Sequence, residues 1–489
     1  MRVRKNQRYL NLLDESRSPL RNTVLLAWPI FLENILTTLV SYADTAMVGS
    51  LGAYATAAVS ISNSVVFLLN GVMMALGVGV TALISQSVGA GNLDMTKKLI
   101  RQAILILLYI GIPIAIILGV LHRQIPLWMG ANEDIIDYAA SYNLIVAFGR
   151  FFNIASTLLF SAFRGCGDTK TPLRINIGIN VINIIGNYFL IYPTRTISLF
   201  GVSFTMIGAG WGVDGAAAAT AVSMAAGGIV AILLLYVKKD SPMHISIRDS
   251  YRLDMQIILR IFKISVPAML ERICMSGANV VISRSVASLG TISIAANTVY
   301  VTAESIAFMP GFAFAAACTT LVGQALGAQK KDLADRYMKT CVLTSMAVMT
   351  VAGTMLFFFG RYAVRLFSND LEVIALATQC LQIAAILQPA QTGATVFAGG
   401  LRGAGDTLWP MIIIASGMWF FRAFLGAIVC IQILGYGLPA AVTCMVIDSY
   451  VRILLFYLRV RTGKWKNNSG LSGALKTVQA ERKPAGKAE

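Results

Sequence analysis

Asp44 stands near the end of an apolar run, residues 24–48, that also carries Thr37, Thr38 and Ser41. An ionisable side chain inside a membrane span costs at least about 2 kcal/mol, so its presence asks for a function. Farther along, Asn176, Asn180, Asn183 and Asn187 are spaced 4, 3 and 4 apart, which puts all four on one helical face. Unpaired amides are costly in hydrocarbon, so that face turns toward protein or a polar chamber. Thr220 and Ser223 extend the polar set on a later run, and Asn153, Asn63 and Asn70 lie on two others. A carboxylate shielded from water exchanges protons readily near neutral pH. Ringed by amide and hydroxyl oxygens, it also suits a hard monovalent cation. The candidate coupling set is therefore Asp44, Asn180, Asn183, Asn187 and Thr220, with Na⁺ at Asp44 and Asn183 or a proton at Asp44. The plainer alternatives are an acid snorkelling to the interface and amides that tie helix to helix.

A second polar set lies in the other half of the chain: Glu271, Arg272, Arg284, Glu304, Arg422, Asp448 and Arg452. Asp448 and Arg452 form an i, i+4 pair, and mutual pairing of Arg422, Asp448 and Arg452 would hold helices together. Glu271 and Glu304 are candidates for a second proton or substrate site, and Glu33 for a paired gating role. Asn153, Met73, Met309 and Gln391 complete the expected substrate-cleft set, Met73 and Met309 as part of an adaptable apolar wall with Met74, Phe67, Phe152, Phe312 and Trp419.

These residues need helices to hold them. Crossing a bilayer takes ~20 apolar residues. Such runs recur at 24–48, 55–83, 99–121, 139–163, 172–192, 212–237, 262–287, 293–322, 338–360, 373–399, 409–433 and 437–459. The reading is an all-α polytopic membrane protein with twelve transmembrane helices. Mean hydropathy of +0.70, with 13% charged residues against about a quarter in soluble proteins, agrees. Pro29, Pro113, Pro267, Pro310-Gly311 and Pro389 interrupt spans and allow bending. Residues 2–23 are polar and of mixed charge, unlike a cleaved signal peptide.

The chain also repeats itself. Arg164-Gly165-Cys166-Gly167-Asp168-Thr169 returns in the second half as Arg402-Gly403-Ala404-Gly405-Asp406-Thr407. The same offset pairs Pro29 with Pro267, Glu33 with Glu271, Gly52 with Gly290, Gln86 with Gln324 and Gly89 with Gly327. Two six-helix lobes follow, 24–237 and 262–460, joined by a linker at 238–261. Even helix counts insert both lobes with one polarity, so a pseudo-two-fold along the membrane normal relates them. The repeated turns are expected to clamp each half-bundle, with Arg facing the cytosol. The coupling site breaks the symmetry: Asp44 becomes Ile282, and the four amides become Ile414, Met418, Phe421 and Leu425.

Charge sets orientation. Of the 40 Lys and Arg, 31 fall on the side of the chain termini and four on the other. By the positive-inside rule the termini, including the segment 1–23 and a disordered tail at 461–489, are cytoplasmic. Topology thus accounts for the net charge of +17 without nucleic acid. Seven scattered cysteines and two distant histidines offer no metal spacing, disulfide framework or catalytic triad, so neither a cofactor nor an enzyme is expected.

The stretch from Pro29 to Asp44-Thr45-Ala46-Met47-Val48-Gly49, Gln86 with Gly89-Ala90, both repeated turns, and Phe308-Met309-Pro310-Gly311-Phe312 leading to Val322-Gly323-Gln324 resemble the multidrug and toxic compound extrusion (MATE) family. The resemblance covers all twelve spans. It implies a V-shaped pair of lobes in the plasma (cell inner) membrane, exporting organic cations or other amphiphilic drug-like compounds in exchange for H⁺ or Na⁺. By the same resemblance Asp44 is the helix 1 aspartate of cation coupling, Asn183 an amide of that site and Thr220 a helix 6 polar position. Asn187 stands where DinF-like members often have a second aspartate. Met275 and Gln391 stand where NorM-like members have a glutamate and an aspartate, which places the chain nearer the DinF-like branch. A lipid-linked precursor flippase of the same superfamily is the alternative; an intramembrane enzyme or a channel fits less well. A single chain suffices for a two-lobe exporter, so a functional monomer is expected.

Overall fold

The computed structural model describes residues 11–199, 202–239, 241–246 and 248–467. The beginning of the expected cytoplasmic segment and the tail from 468 onward lie outside the described residues. Twelve spans follow in chain order: α1 (Pro19–Gly49), α2 (Ala53–Gly89), α3 (Leu93–Val120), α4 (Glu133–Gly165), α5 (Lys170–Ile191), α6 (Gly212–Val237), α7 (Met255–Ala287), α8 in two parts (Thr291–Ala307 and Met309–Gly327), α9 (Lys331–Arg365), α10 (Leu371–Gly403), α11 (Leu408–Ile433) and α12 (Gly437–Arg461). Eleven helical segments among the described residues are long and apolar enough to cross a membrane. α7 is not one of them, since it carries Arg260, Lys263, Glu271, Arg272 and Arg284. It packs against α2 and α11, which buries Glu271, while Lys263 and Arg284 stay exposed.

Local chemistry sets the boundaries. Pro19 opens α1, its missing N–H costing nothing in a first turn. Asn92, Asp254 and Asp370 accept hydrogen bonds from the first-turn amides of α3, α7 and α10. The linker is therefore shorter than expected, because the Asp254 cap starts α7 at Met255. The span expected at 293–322 is broken at Phe308, where Pro310 restarts the helix. α11 becomes π-helical from Met418 to Ile433. α3 has a π turn at Leu107–Gly111.

The all-α fold carries a small ribbon, an antiparallel hairpin of β1 (Pro193–Leu199) with β2 (Val202–Ala209). Its alternation of Thr, Ile, Val and Phe with small polar residues is a strand pattern. The start of the expected disordered tail is ordered: Trp465 is fully buried in the C-lobe core, and its indole N–H donates to the Val460 carbonyl at 2.9 Å.

The lobes meet at the end where the described chain begins and stops, called here the terminal end; the other is the hairpin end. There the duplication becomes physical. Gln86 Nε2 donates to the Gly403 carbonyl at 2.9 Å, and Gln324 Nε2 donates to the Gly165 carbonyl at 3.0 Å. A Cβ on Gly89 would collide with the Gln324 carbonyl, and one on Gly327 with that of Gln86. Further hydrogen bonds across the two halves of the chain (Asn22 to Tyr337, Thr23 to Cys341, Ser265 to the Leu76 carbonyl, Thr320 to the Arg164 carbonyl) also lie in the terminal half.

The repeated turns therefore do more than clamp a half-bundle. Gly167 and Gly405 take φ of 82° and 86°, which glycine alone adopts freely, and this aims the preceding carbonyls at the opposite lobe. Nor do their arginines face the cytosol. Arg164 pairs with Glu33 at 2.7 Å and Arg402 with Glu271 at 2.6 Å.

Candidate functional site

Asp44 lies five residues from the end of α1 and Asn187 four from the end of α5, so both stand near the hairpin end of the N-lobe. Asn187 Nδ2 donates to Asp44 Oδ1 at 2.5 Å and reaches Asn183 Oδ1 at 3.4 Å. Asn183 Nδ2 in turn donates to Thr220 Oγ1 at 3.3 Å. The 4-residue spacing on α5 places both amides inward, Asn187 1% exposed and Asn183 8%. Asp44 is half-buried and has no cationic partner among the described residues. The Asn187 side-chain carbonyl is buried with no donor. The set thus offers a carboxylate, an orphaned amide oxygen, a second amide and a hydroxyl. Oxygen donors of this kind hold a small hard cation, and the carboxylate alone holds a proton.

The amide stripe divides. Asn180 donates to Asn176 Oδ1 at 2.9 Å, and Thr37 on α1 donates to the same oxygen at 3.1 Å. Asn180 is thus engaged nearer the terminal end, in the helix-to-helix role, and makes no bond to Asp44. Ser223 donates to the Thr220 carbonyl and Asn63 is exposed, so neither joins the cluster.

The C-lobe carboxylates have fixed partners. Asp448 lies between Arg422, whose Nε is 2.5 Å away, and Arg452, whose Nε donates at 2.7 Å. Gly417 leaves the room for this triad, since a Cβ there would strike Asp448 Oδ1. Glu271 pairs with Arg402 and so is separate from Glu304. Glu304, 9% exposed, accepts from Gln388 and Gln391, each at 3.4 Å. The break at Phe308, one turn beyond Glu304, carries Met309, which is half-buried. Met73 packs in the N-lobe core at 5% exposure, whereas Phe67, Met74, Phe312 and Trp419 are exposed. Met275 packs against the C-lobe core.

One residue that the sequence did not single out is Arg150 on α4. It is 6% exposed, lines a crevice with Asn70, Met73 and Asn153, and has no acidic partner among the described residues. An arginine in an apolar run signals only that it is buried; its lack of a partner appears once the helices are packed. Asn153, expected in the substrate cleft, and Asn70 stand beside Arg150.

The comparisons agree with this architecture. The family model MatE matches residues 29–189 and 267–428, one block per lobe. The chain belongs to the MATE family of membrane transporters, whose members carry compounds across membranes and are not enzymes. Among relatives, the Probable multidrug resistance protein NorM of Thermotoga maritima is 26% identical over 92% of this chain and 94% of its own length. The uncharacterized transporter YisQ of Bacillus subtilis is 25% identical over 90% and 94%. The solved structure of a MOP superfamily transporter from Pyrococcus furiosus superposes with a TM-score of 0.81 at 20% identity, over 92% of this chain and 97% of that one. A crystal structure of MATE in the bent conformation gives 0.80 at 20% identity, over 94% and 99%.

Proposed function

We propose that the protein is a secondary active multidrug exporter. It takes organic cations or amphiphilic compounds from the cytoplasmic side and releases them outward in exchange for H⁺ or Na⁺. The observation that carries this reading is the state of Asp44: a half-buried carboxylate with no counter-charge among the described residues, held by the amide N–H of Asn187, whose side-chain oxygen has no donor. An acid so placed gains most from binding a cation, and neutralising it alters the packing of α1 against α5. Pro29, inside α1, gives that helix a place to bend.

The excess of Lys and Arg at the terminal end supports cytoplasmic termini in the plasma membrane. In that orientation the hydrogen-bonded terminal end is the closed inner gate, and the structure is an outward-facing state of an alternating-access cycle. Multidrug resistance proteins among the relatives support drug-like substrates. Gln391 and Met275 in place of the NorM-type carboxylates favour the DinF-like branch. One chain contains both lobes, which suits a functional monomer with no cofactor. The flippase alternative loses ground because Arg422 and Arg452 are both drawn onto Asp448 within the C-lobe, and the N-lobe has no matching cluster of cations for a lipid-linked substrate among the described residues.

Purified protein in vesicles, given separate pH and Na⁺ gradients and a fluorescent organic cation, tests the proposal. Uptake driven by one gradient and lost in Asp44→Asn is the expected result. Transport by Asp44→Asn at the wild-type rate under the same gradient would remove Asp44 from the mechanism.

A further inference from the structure

Inward arginines in this bundle come with acids. Arg164 has Glu33, Arg402 has Glu271, and Arg422 and Arg452 share Asp448. Arg272 and Arg150 make no ion pair among the described residues, and Arg272 is only half-buried. Arg150 is the buried one. It makes no hydrogen bond or ion pair with any described residue, although it is more deeply buried than Arg452. Its guanidinium nitrogens are not among the sealed unsatisfied atoms either, so each keeps some open surface, and the space beside Arg150 is the crevice it lines. Arg150 lies near the midpoint of α4 and Asn70 near that of α2, so both are close to mid-membrane. An uncompensated charge at that depth is strongly unfavourable unless an anion joins it.

The duplication supplies an independent reason to regard this place as a ligand position. The offset that carries Arg164 onto Arg402 also carries Arg150 onto Gln388, Asn153 onto Gln391 and Val66, which lines the crevice too, onto Glu304. In the C-lobe those three residues are in contact: both glutamines hold the Glu304 carboxylate. The same place in the fold thus carries a carboxylate among amides in one lobe and a guanidinium among amides in the other.

We propose that the crevice of Arg150, Asn70 and Asn153 is an anion subsite that seats a carboxylate of the exported compound. The inference rests on the exporter reading and narrows it to amphiphiles that bear an acid group, zwitterions included. The crevice encloses about 10 Å³, room for one water-sized group, so a single carboxylate oxygen enters it while the body of the compound stays outside. The guanidinium supplies charge-assisted N–H donors to that oxygen, and the two asparagines supply further N–H groups. Met73 and Ile154 form an apolar wall that excludes competing water.

The test compares a fluorescent amphiphile carrying a free carboxylate with its methyl ester. Binding of each to the purified full-length protein is measured alongside uptake into vesicles, for wild type, Arg150→Gln and Arg150→Lys, with thermal unfolding in detergent as a folding control. The subsite predicts that wild type binds the acid more tightly than the ester. Arg150→Gln should weaken acid binding about tenfold and leave ester binding within about twofold. Arg150→Lys, which keeps the charge and loses the fork, should fall between. Equal loss for acid and ester in Arg150→Gln, or no preference in wild type, overturns the proposal. Displacement of the acid by chloride without discrimination between acid and ester would mark an inorganic-anion site and also overturn it. Failure of uptake with selective binding intact would count against the exporter reading and leave the subsite standing.

Discussion

At the terminal end the lobes are copies of each other. Gln86 and Gln324 exchange equivalent bonds, and Glu33–Arg164 matches Glu271–Arg402. Toward the middle and the hairpin end the copies part. Asp44 faces amides in the N-lobe where the C-lobe has Ile282, and Arg150 stands where the C-lobe has Gln388. The C-lobe's deepest acid, Asp448, is held between two arginines, while Asp44 has none. The contrast separates two uses of a buried carboxylate. A compensated one holds helices together; an uncompensated one is left able to bind something that moves. The shared end keeps its duplicated form because each lobe must close against the other.

Four substitutions, in falling order of effect, would break or sharpen this contrast. Asp448→Asn leaves Arg422 and Arg452 without their counter-charge and should destabilise the protein by about 3–5 kcal/mol, as broken buried pairs do. Thermal unfolding in detergent checks this, and an unchanged midpoint would remove the compensated role. Asp44→Asn should do the reverse. Its unfolding midpoint should stay near wild type while gradient-driven transport falls about 100-fold, equivalent to roughly 2.7 kcal/mol of lost cation binding. Gly89→Ala and Gly327→Ala come next. Each drives a methyl into an opposing carbonyl and should cost about 1–3 kcal/mol of the closed terminal end. Distances between spin labels on the two lobes should widen equally for both; a difference between them would show that the shared end is less symmetric in energy than in form.

The smallest effect concerns the turns. Burial pushes the Asp168 carboxyl up, but hydrogen bonds from Lys238 and Thr171 outweigh it and hold it below the usual carboxylate range. Because its folded pKa is depressed, the pair's stabilisation is present above the unfolded pKa and is lost as pH falls through the folded value. Lys238→Ala should lower stability at neutral pH by under about 1 kcal/mol, with the difference from wild type vanishing in acid. Unfolding midpoints measured across pH would show this convergence, and a gap that persisted in acid would point to packing.

Much of this was readable from residues alone. Periodicity and length revealed the spans, and a constant offset revealed two lobes. Asp44 met Asn187 as the amide stripe implied. Asn180 did not follow, because Asn176 and Thr37 satisfy it locally. Other features depended on packing between distant segments. Arg164 reads as a cytosolic residue of a turn until Glu33, 131 residues earlier, is brought beside it. The lone Arg150 is defined by what does not approach it, which no local pattern encodes. The hairpin was hidden because its Gly- and Ser-containing sequence also suits a loop.

The Gly89 and Gly327 abutments bear on leakage. Each glycine rests on the backbone of the glutamine that secures the other half, so lifting one contact displaces the next. Unlocking is then a single event without a half-released stage. A carrier built this way spends little time ajar, and the ion gradient it draws on is not dissipated through a partly opened door.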